Sequence, residues 1–438
     1  MDKLATVTDY LTEELLNTAP PDDKIQLCGQ AALAMLYSRP VEAYQLAHLK
    51  IYTWQYDNVP EQWRRLYEEA CLHLAAEELQ KLIIPNGTDC NGIVGYNDQI
   101  CESCFCRAIM HLDKAIFVAG APGRRILIMA MFDKLEAFLD VYGEHIGPIV
   151  LNSRKSEALT TDHPIQRELQ PLSLFEFQQH LDNYGGPMVI HDSFGEWPAT
   201  RRWQNATYLL ERTLGGRRTV PVEIGASYTS KGWTQEVMTV HKFMERFIFP
   251  ENPAQIGYLA QHDLLSQVPA LRSDILTPDY CFSAPPAPKG AAALTVGLDS
   301  NAELGEPLVH AWLGPKGTKT PLHTDAYHNI LCQVVGHKYV RLYAPEEKVE
   351  LYPMDVDERG VKMANTSSVC VEFVSSKGKA AEMDAEKACE LEEKFPRFKE
   401  AKYVEAILGP GEALYVPLGW WHYVESLTNS FSVSFWFN

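Results

Sequence analysis

The sequence lacks any uninterrupted apolar run of membrane-spanning length, and its first residues lack the basic start and apolar core of a secretory signal. Basic residues are in deficit, since 39 lysines and arginines stand against 57 aspartates and glutamates, for a net charge of -18. This charge disfavours direct binding to nucleic acid or anionic lipid and favours basic peptide partners. We therefore expect an intracellular protein, nuclear or cytoplasmic, with no membrane association.

The ten cysteines lack the two spaced pairs that are typical of a structural zinc site. Cys101 and Cys104 form a single C-x-x-C, with Cys106 beside it and Cys90 upstream. The apolar residues around them indicate a helix. In an intracellular protein such cysteines are expected to be buried free thiols, and zinc binding by the four stays as the alternative.

The length of 438 residues, with 46% apolar and 22% charged residues, predicts two folded domains. Residues 1–151 carry apolar side chains every three or four positions, which predicts an all-helical N-terminal domain. The polar stretch 152–167 is predicted to be a linker, and 168–438 a second domain. At the start of that domain, Leu172–Leu181 and Trp203–Leu214 are predicted to be flanking helices.

Four aromatic residues of the first domain recur along its helices: Tyr44, Tyr52, Trp54 and Trp63. Such a stripe is typical of a helical core, so a buried structural role is the first interpretation. Stacked helices also offer grooves, so binding of partner proteins by this domain is the alternative.

From Leu308 onward short strands alternate with turns, which is typical of a sheet sandwich or a small barrel. Asn329–Val335 and Lys338–Tyr343 predict a hairpin, and Val369–Phe373 predicts a further strand. The stretch Ser375–Glu393 is rich in lysine, glutamate and alanine, so it predicts a solvated insertion. This insertion leaves the candidate site residues intact but bears on how a substrate reaches them.

The segment from Thr320 to Asn329 carries the clearest chemical pattern. Residues two apart in an extended segment project to the same face, so His323 and Asp325 present an imidazole and a carboxylate side by side. A third ligand, His422, would complete two histidines and one carboxylate. That facial set leaves positions on Fe(II) open for a co-substrate and dioxygen.

Lys338 shares the apolar face of its predicted strand with Val340 and Leu342. An unpaired ammonium in an apolar interior costs on the order of several kcal/mol, and no acidic residue adjoins it in sequence. A ligand carboxylate is therefore the expected partner of this lysine. The alternative is a lysine that extends from a barrel rim to water.

The His-x-Asp pair, Asn329, Lys338 and the late His422 together resemble the Jumonji-C (JmjC) branch of the Fe(II)- and 2-oxoglutarate-dependent dioxygenases. The resemblance covers most of residues 170–438 and extends more loosely to the helical region. It implies an α+β protein, with an N-terminal all-helical domain followed by a cupin-type double-stranded β-helix and flanking helices. The cofactors it implies are Fe(II) and 2-oxoglutarate.

The resemblance also implies site residues, with no catalytic group beyond the metal ligands. The implied Fe(II) ligands are His323, Asp325 and His422. The implied partners of 2-oxoglutarate are Lys338, for its distal carboxylate, and the hydrogen-bonding residues Tyr228, Thr320 and Asn329. Trp312 and Trp436 are candidate walls of a substrate pocket, with a structural core role as the alternative. Three further histidines are expected at the surface or behind the metal ligands: His310, His328 and His337.

The activity implied by the resemblance is hydroxylation of a protein side chain, first of all an arginine C–H bond, with succinate and CO2 as co-products. The alternative is a histone N-methyl-lysine demethylase that uses the same iron site, and an aromatic and acidic cage would favour it. Weaker alternatives are a peptidase acting on histone tails and a non-catalytic scaffold.

Overall fold

The computed structural model describes residues 2–17, 19–55, 58–83, 98–142, 151, 161–225, 227–229, 232–295, 303–355, 363–371 and 392–438. The chain forms two compact units. The first comprises residues 1–147 with 210–220 and 237–242, and the second comprises 148–209, 221–236 and 243–438. Most of the predicted linker and nearly all of the predicted insertion at 375–393 lie outside the described residues.

The first unit is helical, as predicted. Its principal helices are α1 (Asp2–Leu16), α2 (Gln30–Ser38), α3 (Pro40–Tyr52), α4 (Glu61–Ile83), α5 (Asp98–Phe117) and α6 (Arg125–Tyr142). Pro40 is the first residue of α3, where its missing N–H would have no partner in any case. The helices pack around a continuous apolar core whose fully buried members include Leu66, Leu112 and Met131.

No helix among the described ranges is both long and apolar enough to cross a membrane.

The aromatic and cysteine predictions for this unit meet mixed results. Tyr44 packs against Tyr67 with 4.8 Å between ring centroids, but Tyr52 and Trp54 are exposed, which contradicts a core role for those two.

Cys104 and Cys106 are free thiols on α5, and among the described residues no metal-binding cluster includes a cysteine. Cys90 lies outside the described residues, as does the side chain of Cys101.

The second unit is built on strands with short helices around them. Its strands, in chain order, are β1 (Gln166–Glu168), β2 (Met188–Ile190), β3 (Thr219–Ile224), β4 (Thr234–Thr239), β5 (Gly257–His262), β6 (Leu308–Gly314), β7 (Lys319–His323), β8 (His328–Val335), β9 (Lys338–Tyr343), β10 (Tyr403–Leu408), β11 (Glu412–Val416), β12 (Trp421–Ser426) and β13 (Ser430–Phe437). The α-helices of this part of the chain are α7 (Leu174–Asp182), α8 (Ala199–Arg202), α9 (Ala206–Glu211), α10 (Val240–Phe243), α11 (Leu264–Gln267), α12 (Pro269–Arg272) and α13 (Gly290–Thr295). Of these elements, the residues within 210–220 and 237–242 belong to the first unit.

Two sheets form the cupin-type fold that the sequence predicted. The larger sheet has the strand order β1-β2-β11-β8-β13-β6-β5-β3-β4, and the smaller has the order β10-β9-β12-β7. Side chains that alternate along each strand face the interior between the sheets, where Val340, Leu342 and Leu414 are buried. Because β7 and β12 are neighbours, residues from distant parts of the sequence meet on one wall.

Three local predictions are corrected by the structure. Strands β8 and β9 exist as predicted but belong to different sheets, so the turn at Gly336 carries the chain between sheets and does not close a hairpin. Gly336 has a φ of +76°, and a Cβ there would lie 2.0 Å from the carbonyl oxygen of Asn429, so a larger residue does not fit. The strand predicted at Val369–Phe373 is absent from residues 369–371, and residues 372 and 373 lie outside the described residues. The predicted helix at Trp203–Leu214 is shorter, being limited to α9.

Candidate metal and co-substrate site

His323, Asp325 and His422 meet at the end of the smaller sheet. His323 ends β7 and is paired in register with His422 of β12, which brings the two imidazole centroids to 4.2 Å. Asp325 follows β7 by two residues. The three side chains each offer one ligand atom within 4.8 Å of the other two, and among the described residues they are the group that could hold a metal ion.

The charges of this cluster favour a bound cation. The carboxylate oxygens of Asp325 lie 3.4 Å from Nε2 of His323 and 3.5 Å from Nε2 of His422. Burial alone would raise the pKa of Asp325, but His422 and His323 hold that pKa well below its ordinary value. The carboxylate is therefore ionised at any physiological pH, as a metal ligand must be.

Backbone carbonyls orient both imidazoles. Nδ1 of His323 lies 2.8 Å from the carbonyl oxygen of Pro321, and Nδ1 of His422 lies 3.2 Å from that of Trp420. When a metal is bound, each Nδ1–H can donate to its carbonyl, which leaves each Nε2 unprotonated and available as a ligand beside Asp325. This is the usual arrangement of histidines that bind metal.

His328 supports the loop that delivers His422. The backbone N–H of Leu418 donates to Nδ1 of His328 at 3.3 Å, so this nitrogen is an acceptor, and the hydroxyl of Tyr415 donates to the same atom at 2.8 Å. Burial lowers the pKa of His328 to about 4, which keeps the ring neutral and its Nδ1 free to accept. The loop from β11 to β12 is thus tied to β8.

A cavity opens beside the three ligands. Its lining residues are Tyr258, Trp312, Thr320, His323, Asp325, Asn329, Leu331, Lys338, Val416, His422, Val424 and Ser434. Three of the four residues predicted to hold 2-oxoglutarate are among them. All three are buried, and the exposed fraction of Lys338 is 2%.

The polar groups of the cavity are incompletely paired. The ammonium of Lys338 donates to the hydroxyl of Tyr258 at 3.2 Å, and burial lowers the pKa of this lysine to about 7. Oδ1 of Asn329 is buried and has no hydrogen-bond partner among the described residues. The ammonium has no anionic partner among the described residues, and the amide oxygen accepts no hydrogen bond from them. Two such groups beside a ligand cluster fit a small polar co-substrate.

Tyr228, the fourth predicted residue, does not line this cavity. Its hydroxyl lies 3.5 Å from Oγ1 of Thr366, a residue that bridges to His323. Burial raises the pKa of Tyr228 to about 12, and the charge of Asp325 contributes to this increase. Tyr228 is therefore close enough to the three candidate metal ligands for the charge of Asp325 to affect its pKa.

The two tryptophans proposed as substrate walls are placed differently. Trp312 lines the cavity, and its Nε1–H donates to Oγ of Ser434 at 2.9 Å. Trp436 is not among the lining residues. It contacts the rings of His310 and Tyr327 at centroid distances of 4.7 and 6.1 Å.

Sequence patterns did not single out Tyr258 or the pair Glu223 and Trp233. Glu223 is paired in register with Tyr258. Nε1–H of Trp233 donates to the carboxylate of Glu223 at 3.2 Å. Burial raises the pKa of Glu223. The alternation of β5 predicts that Tyr258 faces inward only when the strands beside β5 are known. The sequence of β5 alone does not identify those strands.

Comparison with known proteins agrees with this geometry. A family model described as a Cupin-like domain matches residues 174–438, more than half of the chain. The chain is 32% identical over 469 residues to Lysine-specific demethylase JMJ30 of Arabidopsis thaliana, with 100% of this chain and 95% of that protein covered. It is 36% identical over 320 residues to Jumonji C domain-containing protein 5 of Drosophila melanogaster, with 70% of each covered.

A third relative is matched over a shorter span. Lysine-specific demethylase 8 of Xenopus tropicalis is 39% identical over 266 residues, which is 61% of this chain and 51% of that protein, so the match spans about half the length of that relative. The residues matched by the family model, 174–438, include the strands that carry the His323, Asp325 and His422 cluster. The chain therefore belongs to the JmjC-domain family of cupin-like proteins and is a 2-oxoglutarate-dependent oxygenase.

Proposed function

We propose that this protein uses Fe(II) and 2-oxoglutarate to oxidise a C–H bond in a basic side chain of a protein substrate. The observation that carries the proposal is that the three candidate metal ligands and the buried Lys338 line one cavity. A metal cluster alone would fit many activities. A cation held at the far side of the same cavity supports a dicarboxylic co-substrate.

The donor set fits Fe(II). His323 and His422 would supply neutral Nε2 ligands and Asp325 an ionised oxygen, which leaves the remaining positions of an octahedral ion open. Fe(II) with 2-oxoglutarate supplies the activation of dioxygen and the oxidation of the C–H bond, with succinate and CO2 as co-products. The task of the protein is to orient the ligands and to exclude water from the cavity.

The co-substrate would be anchored at its distal end by Lys338. A carboxylate there would give the buried ammonium the anion that it lacks, and the hydroxyl of Tyr258 would donate a further hydrogen bond. Thr320 and Asn329 line the same cavity. Tyr228, by contrast, does not line the cavity, and any contribution from it would come from beside Thr366.

A basic substrate is supported by an acidic group at the site. Glu223 faces the same side of the sheet as its register partner Tyr258, which lines the cavity, and Trp233 lies against its carboxylate. A carboxylate beside an aromatic ring suits an ammonium or guanidinium group. The net charge of -18 agrees with a basic partner.

Two target groups compete. The relatives named lysine-specific demethylases favour the N-methyl group of lysine, whose hydroxylation releases formaldehyde. The planar carboxylate of Glu223 instead favours arginine, because a guanidinium donates two parallel hydrogen bonds to a carboxylate. Of the two, we place demethylation first on the evidence of the relatives.

The test is to incubate the full chain with Fe(II), 2-oxoglutarate and basic histone-tail peptides that carry arginine or methylated lysine. Mass spectrometry then separates the gain of an oxygen atom from the loss of a methyl group, and succinate release reports turnover. Loss of methyl with formaldehyde supports demethylation, and stable oxygen gain supports arginine hydroxylation. Absence of both, with no succinate above the level of Asp325→Ala, contradicts the proposal.

A further inference from the structure

Helix α3 of the first unit packs one face on the core and leaves another face open to solvent. Ala43, Ala47 and Ile51 lie on the packed face and are buried. The open face carries four apolar or ring side chains, which we call the α3 row: Val41, Tyr44, His48 and Tyr52. Successive members are three or four residues apart in sequence, so they lie along one side of the helix.

The α3 row is accessible from outside the fold. Val41 is 49% exposed and Tyr52 is 69% exposed, and Tyr44 and His48 are partly exposed. The ring of His48 lies 4.5 Å from that of Tyr52 and is stacked on that of Tyr44 at 6.0 Å. Because the rings support one another along the helix, they offer a preformed surface on which a second helix or extended segment can pack.

The hydroxyl of Tyr44 lies among hydrogen-bond donors. Tyr67 of α4 is 1% exposed, and its hydroxyl donates to that of Tyr44 at 3.0 Å. The ammonium of Lys114 on α5 donates to the same oxygen at 3.3 Å. The oxygen of Tyr44 therefore accepts two hydrogen bonds, and its own O–H finds no acceptor in the part of the chain that the structure describes.

Lys114 has no carboxylate partner within the described ranges. The adjacent Asp113 is paired with Arg218 at 2.7 Å. Glu78, whose charge acts on the same His111 imidazole as that of Lys114, is paired with two other cations. The ammonium of Lys114 and the O–H of Tyr44 are thus two neighbouring donors, and an anion that approaches the α3 row can accept hydrogen bonds from both.

The imidazoles beside Lys114 add ring surface without adding charge. Burial lowers the pKa of His48, and the charge of Lys114 contributes. The same two causes lower the pKa of His111 to about 4. Both rings are therefore neutral at neutral pH. The ring of His111 lies 6.1 Å from that of Tyr44, so it extends the aromatic surface from α3 to α5.

We propose that the α3 row and Lys114 form a docking site for an acidic, amphipathic segment of a partner protein. Apolar side chains of the segment pack on the row, and a carboxylate beside them accepts hydrogen bonds from the ammonium of Lys114 and the hydroxyl of Tyr44. The partner is opposite in charge to the basic substrate proposed for the cavity. The inference therefore does not rest on the proposed function.

Charge supports a partner of this kind over a second copy of the chain. The net charge of -18 repels acidic peptides in general, so an acidic segment that binds needs a local cation such as Lys114. A symmetric dimer through the α3 row would bring two copies of Lys114 to one interface. The row itself contains no acidic residue, so it would supply neither copy with a carboxylate.

The experiment selects binders of the full chain from a displayed library of random peptides about 14 residues long that contain no lysine or arginine. That omission removes peptides that suit a cavity for basic side chains. We expect aspartate and glutamate beside apolar residues to be enriched over the input library. Fluorescence anisotropy then gives the affinity of each enriched peptide and of its counterpart in which the acidic residues are replaced by glutamine.

Variants locate the binding. Lys114→Met should weaken binding of the enriched peptides by about tenfold, and Lys114→Arg should retain most of it. The glutamine counterparts should bind the wild type about tenfold more weakly, but should bind Lys114→Met no more weakly than the acidic peptides do. This loss of discrimination is the result expected if the carboxylate and Lys114 contact each other.

Tyr52→Ser tests the apolar part of the site and should weaken binding by about fivefold. Two matched controls lie elsewhere on the helical unit. Lys134→Met removes a lysine whose ammonium lies 4.4 Å from the ring centroid of Tyr10, and Leu16→Ser removes an apolar side chain that is 73% exposed. Neither should change the affinity. Thermal unfolding of each variant checks that the fold is kept.

The proposal is overturned if no peptide is enriched, or if the enriched peptides carry no excess of acidic residues. It is also overturned if these peptides bind Lys114→Met as tightly as the wild type, or if Lys134→Met weakens them equally. Sedimentation velocity tests the remaining occupant. A dimer of the full chain that Tyr52→Ser dissociates would show that a second copy covers the α3 row, and would reject the partner segment.

Discussion

The helical unit and the strand-built unit each bury a basic side chain, and the two side chains differ in whether carboxylates surround them. Arg65, 3% exposed on α4, is surrounded by carboxylates, with Asp23 and Glu69 at 2.8 Å and Glu68 also in contact. Lys338, 2% exposed on β9, has only the neutral hydroxyl of Tyr258 as its described partner. The carboxylates raise the pKa of the arginine, whereas burial lowers the pKa of the lysine.

This difference separates structural from functional burial of charge. A buried cation whose partners are all within the fold has no free charge for a ligand, and its removal leaves those partners unpaired. A buried cation without an anion destabilises the unliganded fold, and such a cost persists at sites where a ligand supplies the missing charge. The contrast therefore assigns Arg65 to the scaffold and Lys338 to the cavity.

The largest expected effect concerns the metal ligands. His323→Ala should abolish both succinate release and the binding of Co(II) followed by its visible absorption, because only two of three protein ligands remain. Turnover near that of the wild type in this variant would exclude the triad as the metal site.

The second effect tests the scaffold side of the comparison. Arg65→Met should lower the free energy of unfolding by about 3 to 5 kcal/mol, because the fully buried carboxylate of Glu68 loses its cationic partner. Asp23 loses the same partner, whereas Glu69 keeps Arg124. Lys81→Met, which removes an exposed partner of Glu78, is the control and should cost about 1 kcal/mol or less. Denaturant titration measures both, and equal losses in the two variants would remove the distinction between buried and exposed pairs.

The third effect tests the cavity side. Lys338→Met should weaken 2-oxoglutarate binding by about 2 to 5 kcal/mol, because the carboxylate loses a buried cationic partner. The same change should leave the unliganded protein as stable as before or more stable, the reverse of Arg65→Met. Calorimetric titration and denaturant unfolding give the two values. A large loss of stability would mean that Lys338 is structural.

These contrasts also show what the sequence could predict. The face of Lys338 followed from the alternation of its own strand, and the adjacency of His323 and Asp325 from their spacing. Both are local properties. The helical first unit likewise followed from the periodicity of its apolar residues.

What the sequence could not predict depends on which strands become neighbours. Strands β8 and β9 are joined by a short turn yet lie in different sheets, and the partner of Lys338 is on β5, eighty residues earlier. The meeting of His422 with His323 was inferred by resemblance, and its physical basis is the register of β12 on β7. Register of this kind is set by packing of the whole barrel, not by either segment alone.

A smaller effect is expected at His328, which ties the loop before His422 to β8. His328→Leu removes the acceptor for Leu418 and Tyr415 and should weaken Co(II) binding by about tenfold, as expected when support for a ligand is lost. His328→Asn places an amide oxygen near the position of Nδ1 and should restore most of the affinity. If both variants bind metal like the wild type, the loop does not depend on this histidine.

The smallest effect is the pH dependence of co-substrate binding. Burial lowers the pKa of Lys338 to about 7, and only its charged form attracts a carboxylate. Affinity for 2-oxoglutarate should therefore fall by about fivefold between pH 7 and pH 8 and continue to fall above it.

Stability of the unliganded protein should change in the opposite direction. Because the folded-state pKa of Lys338 is below its value in the unfolded chain, the unfolded state binds more protons between about pH 7 and the usual value of 10.5. This contribution to stability is therefore smallest below pH 7 and increases as the pH rises through that range. In Lys338→Met, neither the affinity for 2-oxoglutarate nor the stability should change with pH in this way. A pH dependence that persists in that variant would assign the titration to another group.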